Sequence, residues 1–464
     1  MIALACAAAS AVAFWFSIGL GAQWWLLWLA PVPVLWLAFG EARFWTAAVV
    51  AFTAAALGGS NIALPYAGLL PAPVLALAIA GPALAFAAAV LGARRVQRSL
   101  GPLAGPVAFA SLWTMFDFMT SFNGAGGTVS TPAAAEVALP VLIQSAALVS
   151  YVGVTFIVGA VAAGLALALR TRRPVFVAIA VGLFALNAAF GAVRLATPPA
   201  KTMRVALVES DAAVGTLHRF DKASALAAID AYSAQIGKLK GDHVALVVLP
   251  ENIAQLDPAW RGEAYATLQA AADDLGATIV AGFGTPMDGA GRNVSLSFVP
   301  HGGAPAVYEK RRLVPGLETS VYTPGPGPRA LPGGVGLEIC KDMDFQAMLR
   351  TDTVATHPLL LAVPAWDFGA DGWAHARVAV FRSVENGVPM ARAARDGLLT
   401  LNDRYGRVLA QAKTQDGFTT LTGDLPLAGA SGFTVYDRIG DVFGWLSAAL
   451  GLGLFGAALL RGVN

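Results

Sequence analysis

The sequence predicts two unlike parts: a polytopic α-helical membrane domain and an α/β domain of about 235 residues. Three observations carry this. First, only 13% of the 464 residues are charged and the mean hydropathy is +0.63, whereas an ordinary soluble domain carries about 25% charged residues. Second, the deficit is uneven. Residues 1–193 hold seven Arg, no Lys and three acids (Glu41, Asp117, Glu136), about 5% charged, and the rest of the chain is about 18% charged. Third, short β-rich runs alternate with helical ones after residue 200. These facts exclude a wholly soluble protein and a disordered chain. A net charge of +2 is too small to recruit a nucleic acid, so no nucleic-acid partner is expected. The divisions read as a seven-span domain over 1–193, an α/β domain over 194–435, and a closing span with its tail over 436–464.

The spans come first. A helix crossing a bilayer needs about 20 apolar residues, because lipid offers no partner to an unpaired backbone group. The candidates are 2–19, 24–40, 44–62, 67–93, 102–121, 139–169, 174–193 and 440–460. The first two are separated at Gly19 to Gln23, since one uncharged run of that length is too long for a single span. Arg43, Arg94, Arg95, Arg98, Arg170, Arg172, Arg173 and Arg461 all fall on one side if the N-terminus is cytoplasmic, and the intervening loops carry no Lys or Arg. By the positive-inside rule the α/β domain then lies outside the cytoplasm. Span 1 lacks the basic region of a cleavable signal. Cys6 reads as a small apolar residue, because no hydrophobic region precedes Leu4-Ala5-Cys6. Asp117 is an intramembrane acid. It reads either as a functional group or as a hydrogen-bonded acid near the outer end of its span.

Strands in the second part are expected at Arg204–Val208, Val244–Leu249, Thr278–Gly282, Val294–Val299, Val335–Ile339, Leu359–Val363, Leu398–Leu401, Val408–Gln411 and Thr419–Thr422. Helices are expected at 222–239, 258–275 and 374–386. The first strands are near-continuous apolar runs, as for strands buried on both faces. Pro324–Gly336 reads as an irregular loop.

Chemistry concentrates in three segments. Leu249-Pro250-Glu251-Asn252 ends a strand with a carboxylate. Tyr308-Glu309-Lys310 places a lysine before the apolar Leu313-Val314-Pro315. Gly336-Leu337-Glu338-Ile339-Cys340 ends a strand with a thiol. Sites in parallel sheets collect at carboxyl ends of strands. The chain has two cysteines, and Cys6 lies in span 1, so Cys340 is a lone thiol, either a buried apolar residue or a reactive one. A thiol attacks as thiolate and needs a base or a positive neighbour. Glu251 could move its proton, Lys310 could stabilise negative charge, and the backbone N–H of Lys341 could complete an oxyanion site. Trp366, in Trp366-Asp367-Phe368-Gly369, either lines the site or is a structural loop residue. Asn293 is a candidate for positioning a loop beside it. Arg382 and Glu385, three apart on a helix, read as an ion pair supporting the fold. The five histidines, His218, His243, His301, His357 and His375, lack metal-ligand spacing, so neither metal nor cofactor is expected.

The order Glu251, Lys310, Cys340 with these flanks resembles the nitrilase, or carbon–nitrogen hydrolase, superfamily. Seven spans, an external domain and one closing span are similar to its apolipoprotein N-acyltransferase family. Gln144, Lys310 with Leu313-Val314-Pro315, Glu318, Ile339-Cys340 and the exit segment Thr434–Asp441 carry that likeness. The resemblance implies an αββα sandwich, with Glu251 as base, Lys310 as electrostatic stabiliser and Cys340 as nucleophile. Glu318 matches a family acid, and Asp342 stands where the family more often has Glu. Lys341 stands where it more often has an aromatic. The implied reaction is ping-pong. An acyl chain passes from a phospholipid to Cys340, then to the α-amino group of a diacylglyceryl-cysteine lipoprotein, in a monomeric multi-pass protein of the bacterial inner membrane. A tethered amidase with water as acceptor, and a non-catalytic lipid- or protein-binding protein, are the alternatives.

Overall fold

The computed structural model describes residues 1–198, 201–211, 221–287, 290–331, 333–429 and 433–461. His218 lies outside these. The chain divides into two compact units, Met1–Thr197 with Arg438–Asn464, and Pro198–Asp437.

The first unit is helical. Its helices are Ile2–Ser17, Trp24–Leu29 followed by Val32–Ala38, Phe44–Gly59, Ala72–Leu100, Ala104–Thr120, Tyr151–Thr171, Pro174–Leu195 and Val442–Leu460. Five stretches among the described residues are long and apolar enough to cross a bilayer: Phe44–Tyr66, Ala72–Leu100, Tyr151–Thr171, Pro174–Leu195 and Val442–Leu460. The structure corrects the sequence reading in three places. The second span is interrupted at Ala30–Pro31, where Pro31 and Pro33 have no N–H to continue the helical ladder. The stretch 139–169 is not one helix. Pro132–Ala138 and Pro140–Leu142 are 3₁₀ turns, Ala146–Val149 is a single helical turn, and Ser150 at φ 66° breaks the chain before Tyr151. Arg94, Arg95 and Arg98 lie within the helix Ala72–Leu100, not in a loop. Arg94 donates to Ala38 O at 2.6 Å and Arg98 to Gly40 O at 2.9 Å, so cations meet the negative end of Val32–Ala38. Asp117 is buried and accepts from Thr131 Oγ1 at 2.9 Å and Thr155 Oγ1 at 2.5 Å, a hydrogen-bonded acid inside the bundle.

The second unit holds thirteen strands among its described residues. They are β1 Thr202–Glu209, β2 Leu246–Val248, β3 Ala254–Gln255, β4 Thr278–Met287, β5 Ala290–Phe298, β6 Ala306–Glu309, β7 Arg329–Ala330, β8 Val335–Leu337, β9 Leu360–Trp366, β10 Met390–Arg395, β11 Leu398–Asn402, β12 Val408–Lys413 and β13 Thr419–Pro426. One sheet runs β13-β1-β2-β4-β5-β6 with β3 on β4, and the other runs β12-β11-β10-β9-β8-β7. The centre of each is parallel, β1-β2-β4 and β8-β9-β10.

Alternation along the strands builds four layers. Val205, Leu207, Leu246, Val248 and Val280 meet Leu337, Leu360, Ala362 and Ala391 between the sheets. Ala206, Val208, Val247 and Ile279 point the other way, onto Ile229, Tyr232 and Leu268 of helices Lys222–Gly237 and Arg261–Leu275. On the far side Leu361, Val363 and Met390 meet Leu349 and Ala379 of helices Gln346–Thr356 and Gly372–Asn386. The unit is an αββα sandwich.

The sequence reading lacked β3, β6, β7, β10 and the helix Gln346–Thr356. The Pro324–Gly336 stretch, expected as irregular, carries β7, which pairs antiparallel with β8. The strand β10 reads Met-Ala-Arg-Ala-Ala-Arg, all good helix formers, yet it is buried between β9 and β11. Tertiary pairing overrides local preference there.

Arg382 and Glu385 form the expected ion pair at 3.0 Å, with both side chains fully buried. Removing one partner strands a buried charge. Arg382→Ala is expected to cost about 3–5 kcal/mol, measured by chemical denaturation of the purified protein in detergent. An Arg382→Met/Glu385→Leu double variant is expected to recover most of that loss.

Candidate active site

Glu251 follows β2 through Leu249 and Pro250, and its N–H donates to Ala365 O of β9 at 3.2 Å, tying the two sheets together at this point. Gly282 of β4 permits the close approach. A Cβ there would stand 2.6 Å from Glu251 Cα and 2.6 Å from Pro250 O. Lys310 follows β6, with its N–H on Asn293 O of β5 at 2.8 Å.

The side chains of these residues converge in a buried cluster. Lys310 Nζ donates to Glu251 Oε1 at 2.7 Å and to Glu318 Oε2 at 2.8 Å. Asn293 Nδ2 lies between the same two carboxylates, 2.5 Å from Glu251 Oε1 and 2.7 Å from Glu318 Oε1. Glu318 also accepts the Val314 N–H at 2.7 Å. Two carboxylates thus share one ammonium out of water, and their environments separate them. Burial raises the Glu251 carboxyl above its ordinary value, and the Glu318 charge adds to this against the pull of Lys310. Burial opposes ionisation of Glu318 too, but Lys310 and the Val314 N–H outweigh it and hold that carboxyl low. Against burial, which works the other way, the two carboxylates hold the Lys310 ammonium protonated. Such a split marks which carboxyl can exchange a proton.

Cys340 is the third residue after β8, at the first position of the 3₁₀ turn Cys340–Asp344. Its φ of 41° is left-handed, a costly conformation for a residue with a Cβ. The part-buried thiol donates to Trp366 O at the end of β9, 3.4 Å away. Burial pushes the thiol well above its ordinary value, the Glu251 charge adds to this, and Lys310 opposes it. The resting sulfur is therefore protonated.

Asp342 holds the turn. Its carboxylate accepts from the N–H of Ile339 at 3.1 Å, the N–H of Arg312 at 2.9 Å and Tyr308 Oη at 2.8 Å. It thereby ties the nucleophile turn to the segment after Lys310. Tyr308 Oη also lies 2.8 Å from Glu338 Oε2. One phenol proton cannot serve both acids, and burial holds the Glu338 carboxyl well above its ordinary value, so Glu338 supplies its own proton.

Lys341 does not join the cluster. Its ammonium lies 3.2 Å from Asp344 and 5.7 Å from the Phe345 ring centroid. Trp366 is the last residue of β9 rather than part of a loop. Its ring is held by Asp396, 3.0 Å from Nε1, and by the Arg395 guanidinium 3.6 Å above the ring. Arg395 also donates to Asn252 O at 3.0 Å. Trp366 packs with Leu313, Leu317, Val321 and Tyr322 in an apolar patch. Sequence reasoning missed Tyr308, Arg395 and Asp396 as supports. The available signal was two arginines, Arg392 and Arg395, in a short segment that the fold buries as a strand. Among the described residues no group of three or more His, Cys, Asp or Glu could hold a metal ion.

The family described as carbon–nitrogen hydrolase matches residues 204–433. Residues 204–433 form a carbon–nitrogen hydrolase domain. The chain is also similar to an apolipoprotein N-acyltransferase from Geobacter metallireducens, 31% identical over 170 residues, covering 34% of this chain and 32% of that protein. A second protein of that name, from Thermotoga maritima, is 29% identical over 144 residues, covering 29% of this chain and 26% of that protein. The chain thus spans about a third or less of the length of the curated relatives it matches. Among solved structures, an amidase from Nesterenkonia sp. aligns at 22% identity and a TM-score of 0.42, over 50% of this chain and 93% of that one. A carbon–nitrogen hydrolase from Helicobacter pylori G27 aligns at 18% and 0.41, over 48% and 89%.

The charges around the thiol of this carbon–nitrogen hydrolase domain set the sign of one test. In a Cys6→Ala background, alkylation of Cys340 by iodoacetamide is expected to stay slow through neutral pH and to accelerate only above the ordinary thiol value of about 9. Glu251→Gln removes a negative neighbour and should move that onset to lower pH. Lys310→Met removes a positive one and should move it higher. Rapid labelling of the wild type at pH 7 would contradict the assignment.

Proposed function

We propose that the chain is a membrane N-acyltransferase, moving an acyl chain from a phospholipid to the α-amino group of a diacylglyceryl-cysteine lipoprotein through a thioester on Cys340. The observation that carries this reading is the buried 2.7 Å Glu251–Lys310 pair, which with the Cys340 thiol stands at the ends of strands from two facing sheets. Apolar helices in the same chain and the names of its relatives supply the lipid context.

The residues divide the work as follows. Cys340 Sγ attacks the ester carbonyl of the phospholipid while Glu251 takes the thiol proton. Negative charge on the carbonyl oxygen is stabilised by Lys310 and by the Lys341 backbone N–H. The tetrahedral intermediate collapses, the carbon–oxygen ester bond breaks, and Glu251 returns the proton to the departing lysophospholipid. The acceptor amine then attacks the thioester and gives a proton to Glu251. The carbon–sulfur bond breaks and the thiol is restored. Glu251 suits this shuttling because its carboxyl lies above the ordinary carboxylate range. Glu318 stays ionised and keeps Lys310 charged throughout. The apolar patch of Leu313, Leu317, Val321 and Trp366 suits an acyl chain. In this reading the domain works on the extracytoplasmic side of the inner membrane.

Incubation with labelled phospholipid should trap an acyl thioester on Cys340, and a diacylated lipopeptide should discharge it to an acylated peptide. Release of free fatty acid or ammonia, with no acylated peptide, would instead establish a hydrolase. Cys340→Ala should abolish the thioester, and Glu251→Gln should lower kcat by roughly 10²–10⁴-fold.

The pH dependence follows from the same residue. The base form of Glu251 is lost as pH falls through its raised pKa. The acid limb of kcat/KM should therefore lie above the ordinary carboxylate value of about 4.5. A limb at or below that value would remove Glu251 as the base.

A further inference from the structure

Two clefts of about 340 and 310 Å³ lie between helices Trp24–Ala38, Tyr151–Thr171 and Pro174–Leu195. They share Leu29 and Leu165 and so form one groove. Every wall residue of the 310 Å³ cleft is apolar or aromatic. One end is closed by Trp28 and Phe184, edge to face at 5.0 Å, with Trp28 fixed by a 2.9 Å hydrogen bond from Nε1 to Glu136. At the other end stand Arg172 and Arg173.

The turn between the two long helices explains why both arginines are there. Arg172 ends Tyr151–Thr171 in the left-handed region at φ 56°. Arg173 is held extended by the following Pro174. Three arginines of this unit are engaged: Arg94 and Arg98 on carbonyls, and Arg170 over the Trp36 ring at 5.5 Å. Arg172 and Arg173 are exposed, and among the described residues neither guanidinium has a protein partner.

Length adds a second constraint. From Val161 to Arg172 the groove follows helix Tyr151–Thr171 for about 16 Å, at about 1.5 Å per residue. That is close to half of the ~30 Å hydrocarbon core of a bilayer, the depth of one leaflet. An apolar groove one leaflet deep, with two unpaired cations at its rim, matches a molecule with hydrocarbon tails and an anionic head.

We propose that this groove binds one anionic phospholipid, its acyl chains along Leu29, Leu165 and Val177 and its phosphate on Arg172 and Arg173. The site is built wholly from the membrane unit and is independent of the chemistry at Cys340. A soluble anion would use the arginines but not the groove, and a zwitterionic lipid would use the groove but gain little from the arginines.

The test uses the full chain purified in detergent, with bound lipid counted by native mass spectrometry. Phosphatidylglycerol and phosphatidylcholine of identical acyl chains are titrated separately. The wild type should bind phosphatidylglycerol about thirtyfold more tightly, the scale expected of two surface arginines on an anionic head group. Arg172→Gln/Arg173→Gln should bring phosphatidylglycerol to the phosphatidylcholine level. Val177→Trp, at a side chain 43% exposed on the groove rim, should weaken both lipids at least fivefold while leaving helix content unchanged. Glycerol phosphate without tails should not compete. Equal wild-type affinity for the two lipids, or a preference that survives the double substitution, overturns the proposal. So does unchanged binding in Val177→Trp, or effective competition by glycerol phosphate.

Discussion

The second unit depends on one buried cation. Lys310 sits 2.7 Å from Glu251 and 2.8 Å from Glu318 with almost no exposure to water. Desolvating three charged groups is expensive, and their attraction offsets it only when the geometry is close and the remaining lone pairs are filled. Asn293 and the Val314 N–H do that filling. The cluster still carries one more carboxylate than ammonium. That surplus is what makes Glu251 reluctant to stay ionised and able to accept and release a proton. A simple Lys–Glu pair would have buried a neutral, inert salt bridge.

The same requirement for close geometry explains the supports around it. The reactive groups come from two sheets, and each junction is fastened by backbone atoms. The Glu251 N–H reaches β9, Asp342 grips the N–H groups of Ile339 and Arg312, and Arg395 joins the Asn252 carbonyl to the Trp366 ring. Cys340 is held at φ 41° by this frame. Behind the nucleophile, burial raises the Glu338 carboxyl well above its ordinary value, and the Tyr308 hydroxyl links it to Asp342.

Much of this was legible in the sequence, for reasons that differ by element. The buried parallel strands announced themselves as apolar runs, because both faces are covered. The sheet-end positions of Glu251 and Cys340 followed from where those runs stop. Asn293 and Glu318 could be named as candidates, yet the sharing of Lys310 by Glu318 and Glu251 could not, since it depends on the loop after Lys310 folding back through Tyr322 and Gly325. The strand β10 was invisible because its Ala, Arg and Met residues favour helix, and only the neighbours β9 and β11 make it a strand. In the helical unit, hydropathy located the apolar helices, of which five among the described residues are long enough to cross a bilayer. It could not show that proline and Ser150 break two of them, nor that three arginines extend a helix past its apolar run.

The pairing of β1 with β13 has a further consequence. Thr202 is registered against Pro426, so the domain's first and last strands are neighbours, and its two connections leave from one edge of one sheet. A domain whose ends meet can be inserted between two helices without forcing them apart. The same pairing delays completion. The edge of the first sheet cannot close until residue 426 has been made, just before the helix Val442–Leu460. Synthesis of this chain thus leaves β1 with an open edge for most of its length, and that strand is where misassembly would begin.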